Sequence, residues 1–210
     1  MSNKKNVLVA GANGTTGRII IDLLKESEKY QPIAMVRKQE QKDHFEKENV
    51  AAVLGDLEED LSDAVKNADK VIFAAGSKGK NVIGVDQEGA KKFTDAAKKA
   101  GVGKFVMLSS MGADNPTISE ELEDYLRAKG NADDYLRNSG LDYTIVRPGA
   151  LTNEDSSGKI QLKEKLEKQG SISRANVAQT LVEVLEDDVK QNQVFEILDG
   201  ETPIEKAVRS

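Results

Sequence analysis

Cysteine and tryptophan are absent from the chain, and histidine occurs once, at His44. Without thiols there is no disulfide, no thiolate nucleophile and little from which to build a structural zinc site, so no metal centre is expected. His44 lies among charges in Lys42-Asp43-His44-Phe45-Glu46-Lys47, the setting of a solvated helix position rather than a catalytic base. Long apolar runs are missing too: none approaches the ~18 residues of a membrane span, and Met1-Ser2-Asn3-Lys4-Lys5 has no hydrophobic leader segment. A basic excess is likewise lacking. The formal net charge is −6, the wrong sign for neutralising a phosphate backbone. The expectation is a soluble cytoplasmic protein with a small-molecule substrate and neither a nucleic-acid nor a membrane partner. No linker, low-complexity run or internal repeat divides the 210 residues, which suits a single domain.

What is present begins with Val7-Leu8-Val9-Ala10, a short buried strand. Gly11, Gly14 and Gly17 follow at spacing G-x-x-G-x-x-G, and then Ile19, Ile20, Leu23 and Leu24 recur with helical period. In a strand–turn–helix of this kind one glycine permits the turn, one lets backbone approach a pyrophosphate, and one lets helix and strand pack closely. The pyrophosphate would rest on free N–H groups at the positive end of the helix dipole. Gly11, Asn13, Gly14, Thr15, Thr16 and Gly17 are therefore the candidate dinucleotide cradle; the plainer alternative is a glycine-rich turn that binds nothing.

The next strand, 31–36, ends at Arg37-Lys38. An NAD-binding unit usually carries an acidic residue about 20 positions past the glycine turn to hold ribose hydroxyls. Here that position is Arg37, a cation suited to a 2′-phosphate, which favours NADP (NADPH) over NAD. A third strand, 50–54, leads to Gly55-Asp56-Leu57. Asp56 either accepts from the adenine amino group, with Leu57 against the ring, or belongs to a simple turn. A short helix through Leu61, Ala64, Val65 and Ala68 precedes the strand 71–76, whose small end, Ala74-Ala75-Gly76, admits a ribose or pyrophosphate close to the backbone. Ser77-Lys78-Gly79-Lys80 then offers charge to a ligand or is a solvated loop.

The spacing of Val82, Val85, Gly89, Phe93, Ala96, Ala97 and Ala100 predicts one helix over 81–100, closed by Gly101. Phe105-Val106-Met107-Leu108 is the fifth strand. It delivers Ser109-Ser110 at its carboxyl end, the edge at which open α/β sheets bind ligands. A helix over 119–138 has Leu122, Tyr125, Leu126, Ala132 and Leu136 as its inward stripe, and Lys129 falls on that stripe. An inward lysine needs a reason. Tyr125 and Lys129, four apart, leave the same face and can meet one ligand. Strand 141–146 ends in Arg147-Pro148-Gly149, where Pro148 predicts irregular backbone that presents peptide groups to a nicotinamide amide, or a plain strand-ending turn. Ser173 reads as a helix N-cap, with Ile172 and Val177 as a hydrophobic staple ahead of Leu181, Val184 and Leu185. Residues 194–198 form a last strand before a short tail. Strands and helices alternate throughout, which predicts an α/β fold with a doubly wound parallel sheet.

Taken together, Gly11 to Gly17, Gly55-Asp56, Phe105 to Ser110, Tyr125 with Lys129, Leu141 to Gly149, and Ile172-Ser173-Arg174 before Val177-Ala178 resemble the short-chain dehydrogenase/reductase superfamily. Within it the chain resembles the small atypical NAD(P)-binding members called epimerase/dehydratase-like. The resemblance implies a Rossmann fold with helices on both faces, and a small substrate-side segment at 150–172. It also implies roles: Tyr125 as general acid or base, Lys129 holding ribose hydroxyls and favouring the phenolate, and Ser110 orienting the substrate's carbonyl or hydroxyl. Hydride would pass between the nicotinamide and a substrate carbon.

The pattern departs from nucleotide-sugar epimerases in one respect: only 61 residues follow Gly149, and several complete the sheet, which leaves no room for their usual substrate domain. The leading expectation is an NADP(H)-dependent oxidoreductase of a small carbonyl or hydroxyl substrate. The alternatives are a non-catalytic NADP(H)-binding redox sensor and an epimerase/dehydratase-like isomerase.

Overall fold

A computed structural model describes residues 4–77 and 79–210. Eleven strands and seven α-helices alternate among them. The opening strand β1 (Lys5–Ala10) places Val7 and Val9 on one face of the sheet, and Leu8 and Ala10 on the other. Each set is fully buried in its own core, so the run is apolar throughout because both faces are covered. The first core lies under α1 (Thr15–Glu26), α2 (Gln39–Lys47), α6 (Arg174–Glu183) and α7 (Ile204–Arg209). The second lies under α3 (Ser62–Val65), α4 (Ala90–Ala100) and α5 (Glu123–Arg137). In it Phe93 packs between Phe73 and Phe105, with ring centroids 5.7 Å apart on either side.

Nine strands form one sheet, in the order β11 (Thr202–Pro203), β8 (Lys159–Lys163), β10 (Gln193–Asp199), β6 (Tyr143–Pro148), β5 (Lys104–Leu108), β4 (Lys70–Phe73), β1, β2 (Tyr30–Val36), β3 (Ala51–Leu54). From β3 to β10 every pairing is parallel; β8 runs antiparallel to β10, and β11 antiparallel to β8. The sheet is thus a Rossmann-type, doubly wound one with an antiparallel edge. A separate pair, β7 (Ala150–Thr152) with β9 (Ser171–Ser173), brackets the segment expected on the substrate side.

The strand order reverses between β1 and β4, so the ends of those two strands open a crevice on the carboxyl side of the sheet. Three expectations change here. The helix expected over 81–100 begins as a π-helical stretch, Val82–Gly89, before α4. Two 3₁₀ turns, Pro116–Ile118 and Glu120–Leu122, delay α5, and Leu122 is 48% exposed instead of inward. The terminal tail is helical, with Ile204, Ala207 and Val208 buried.

Candidate active site

The crevice is built by glycines. Gly11 leaves β1 at φ +86°, and a Cβ there would lie 2.7 Å from the backbone of Ala74 and Ala75, past the end of β4. A Cβ at Gly17 would come within 2.1 Å of Gly11 O, so helix and turn touch through bare backbone. The Gly14 N–H closes the turn on Gly11 O at 2.9 Å. The α1 N-terminus has no side-chain cap and no acidic residue in its first turn, which leaves a positive helix end beside a turn that only glycine can line. A dinucleotide diphosphate fits this arrangement. Thr16 is buried, while Asn13 and Thr15 are exposed at the rim. Arg18, which the sequence did not single out, donates to Asn13 Oδ1 at 2.9 Å and lies 4.2 Å over the Phe45 ring. Its place directly after the third glycine was the available signal.

At the end of β2 the backbone N–H groups of Arg37 and Lys38 both donate to Gln41 Oε1 at 3.2 Å, while both side chains are exposed. Asp56 is half-buried and its Oδ1 accepts from the Glu58 N–H at 3.1 Å, the geometry of a local turn. Leu57 differs from its expectation as an adenine-packing residue. It is 6% exposed and belongs to the core, so close to Gly89 that a Cβ there would meet its own at 2.8 Å.

Ala74 and Ala75 are half-buried beyond β4, and Gly76 is exposed. Asp86, in the π-helical stretch and 2% exposed, accepts from the Ser77 N–H at 3.0 Å, and a Cβ at Gly76 would lie 3.1 Å from its other oxygen. The Ser77 Oγ is buried with no partner among the described residues. Lys78 lies outside the described residues.

The carboxyl end of β5 and the inward face of α5 form the other wall. Lys129, 3% exposed, donates to Leu108 O at 2.7 Å, which sets its ammonium at the carboxyl end of β5, where the chain runs on into Ser109 and Ser110. Tyr125 is half-buried one turn earlier on the same face. Ser110 is half-buried, its Oγ donating to Met111 O at 3.2 Å. Ser109 turns inward instead, donating to Asp133 Oδ2 at 2.8 Å.

Asp133, fully buried one turn past Lys129, also accepts from Arg147 Nε at 2.9 Å. Burial pushes its carboxyl up from the ordinary range, against the pull of Arg147, Ser109 and Lys129. Asp86, Asp133 and Arg147 are the polar groups the sequence reasoning missed. Asp133 had a signal, since it continues the Tyr125–Lys129 spacing of four.

Pro148 corrects its expectation. It is regular, buried strand, paired with Ile197 in β10, and its carbonyl accepts from the Met111 N–H at 3.0 Å, so it offers no free peptide oxygen there.

Among known proteins the chain is 39% identical to the Bacillus subtilis protein named uncharacterized sugar epimerase YhfK, over 97% of this chain and 98% of that one. A solved structure from Bacillus halodurans, described as an NAD-dependent epimerase/dehydratase, superposes with a TM-score of 0.93 at 40% identity, covering 98% of this chain and 99% of that one. Sanguinarine reductase of Eschscholzia californica is 28% identical over 93% of this chain and 89% of its own length. Residues 11–188, from the first cradle glycine to beyond α6, match the family model described as NAD(P)H-binding, and the chain belongs to that family.

Proposed function

We propose that this protein is an NADP(H)-dependent oxidoreductase that transfers hydride to or from a small carbonyl or hydroxyl substrate. The observation that carries the reading is the buried Lys129 ammonium, held at Leu108 O, two residues before Ser110 in the chain and one helical turn from Tyr125. A charged amine is buried at a strand end only where something uses it or pairs it.

The nicotinamide, when bound, supplies or accepts the hydride. The chain's own residues do the rest. The Gly11–Gly17 turn and the α1 N-terminus bind the diphosphate, and Lys129 holds ribose hydroxyls. Ser110 Oγ orients the substrate oxygen, and the Tyr125 hydroxyl gives or takes the proton there. The exposed Arg37 at the end of β2 supports NADP as the cofactor. The reductase name of a relative 28% identical supports reduction as the reaction type. Nearer relatives carry epimerase names, so an epimerase/dehydratase-like isomerase is the second reading. A net charge of −6 suits a small-molecule reaction in the cytoplasm better than work on nucleic acid or an anionic membrane surface.

The test is NADPH oxidation followed by cofactor absorbance against a panel of quinones, aldehydes and ketones, with wild type and Tyr125→Phe. Turnover should fall about 10²- to 10⁴-fold in the variant while NADPH affinity stays within about threefold. A Phe variant as fast as wild type removes Tyr125 from the chemistry, and a wild type that binds NADPH but reduces nothing favours the sensor reading.

A further inference from the structure

Arg147 does more than pair with Asp133. It is 8% exposed at the carboxyl end of β6, and its fork reaches two carboxylates: Nε to Asp133 Oδ2 at 2.9 Å, and the Nη1 side to Asp114 Oδ1 at 3.7 Å. Asp114 in turn receives Lys165 Nζ at 2.6 and 2.8 Å. Lys165 also lies 3.3 Å from Glu196 Oε1, and Glu196, 1% exposed, takes the Leu166 N–H on its other oxygen at 2.6 Å. The chain of contacts therefore starts on Ser109 and the inward face of α5, crosses the loop after β5, and ends on the segment after β8.

The inner link of this network, Arg147 to the fully buried Asp133, is expensive as a device for stability alone, since a buried ion pair rarely outdoes apolar packing of the same volume; the outer links through Asp114 and Lys165 are exposed. Its distinctive property is direction: each link fixes one loop relative to another. The loop bearing Asp114 and the segment bearing Lys165 both contribute to a cleft of about 1240 Å³ that Arg147 also lines; it runs along the outward face of α5, by Arg127, Asn131 and Asp134, on the other side of the helix from Lys129. Against the lift of partial burial, Lys165 and Arg147 hold the Asp114 carboxyl below its ordinary range, so the link stays charged at neutral pH.

We infer that Arg147 is a positioning residue of the acceptor site: its two-armed guanidinium ties the Tyr125–Lys129 helix, through Asp133, to the loop bearing Asp114 and onward to Lys165. This rests on the oxidoreductase reading for what is positioned, while the tie itself rests on the distances above. A lysine at position 147 keeps the charge and reaches one carboxylate, but it has no fork with which to bridge two.

The experiment compares wild type, Arg147→Lys and the surface variant Asp114→Asn. Amide hydrogen exchange is followed by mass spectrometry on peptides spanning residues 111–120 and 160–168, and kinetics are measured with NADPH and phenanthrenequinone. Both variants should exchange about fivefold or more faster in those two stretches, with residues 5–26 unchanged. KM for the quinone should rise by a larger factor than kcat falls, and NADPH affinity should stay within about twofold. Exchange equal to wild type in both variants overturns the tie and leaves the oxidoreductase reading standing. So does full kinetic rescue by lysine, which would reduce Arg147 to a counter-charge for Asp133. A wild type that reduces no acceptor overturns the oxidoreductase reading and, with it, the positioning role, whatever the exchange rates show.

Discussion

The Lys129 ammonium donates to the main-chain oxygen of Leu108 at 2.7 Å, joining the middle of α5 to the last residue of β5. Both ends of that bond are buried, and the fully buried Asp133 carboxylate lies one turn away on the same helix. The lysine is thus held by a neutral acceptor and balanced by a charge that Arg147 already shares. Among the described residues it has no second acceptor, which leaves two of its three protons for a bound ribose.

Lys129→Met keeps the length and apolar stem but loses every donor. Leu108 O then lacks its partner, and stability should fall by about 1–2 kcal/mol in urea titration. NADPH affinity should fall about tenfold or more by fluorescence titration, equivalent to roughly 1.4 kcal/mol. Affinity unchanged in a folded variant would reduce Lys129 to a strand-to-helix tie.

Gly17→Ala tests the cradle. The added methyl would stand 2.1 Å from Gly11 O and 2.9 Å from Ala12 Cα, both backbone atoms, so only separation of α1 from the turn relieves it. A loss of about 2–3 kcal/mol in thermal or urea unfolding is expected, together with loss of NADPH binding. Gly101→Ala is the contrast: φ is +73° there but the space is open, so the cost should be about 1 kcal/mol with binding intact.

The glycine turn between β1 and α1 was legible because glycine spacing, an apolar strand and a helical period all report local backbone geometry. Lys129 was legible because one cation stood on an otherwise apolar stripe. The start of α5 was not: Leu122 fits the stripe by number, but Pro116 and two 3₁₀ turns break the phase before Glu123. Pro148 misled for the opposite reason, since a proline can end a parallel strand without disturbing it when its missing N–H is not needed. Asp133 carried a trace in its spacing of four from Lys129, but its partner Arg147, and the onward contacts through residues 114, 165 and 196, depend on which strands become neighbours, and no local pattern encodes that.

Arg37→Asp addresses the cofactor preference. The guanidinium is exposed at the end of β2, with its backbone already satisfied by Gln41, so the substitution should leave stability within about 0.5 kcal/mol. NADPH affinity should fall about tenfold or more while NADH affinity holds or improves, measured by parallel titrations. Lys38 alongside keeps some positive charge, so Arg37→Asp/Lys38→Ser should go further. An unaltered ratio of the two affinities would place any 2′-phosphate contact elsewhere.

A second buried lysine lies at the opposite, amino end of the parallel strands. Lys104, 1% exposed at the start of β5, donates to Glu186 O at 2.5 Å and Val189 O at 2.7 Å, beyond the end of α6. Burial, reinforced by the neighbouring Lys70, pushes its ammonium down to about 8, while Asp187, Asp142 and Asp188 pull the other way. A lysine with a lowered folded-state value sheds its proton before the unfolded chain does, so between about pH 8 and about pH 10 the unfolded state binds more protons. Stability from this group is therefore lowest below pH 8 and rises with pH through that window. Tyr30, pushed up to about 12 chiefly by burial, acts in the opposite sense above pH 10 and closes the window. Urea titrations at about pH 7 and about pH 10 should show wild type gaining about 2 kcal/mol relative to Lys104→Met. A difference that stays flat with pH would mean that Lys104 remains charged throughout, neutralised by Asp187 more fully than its burial implies.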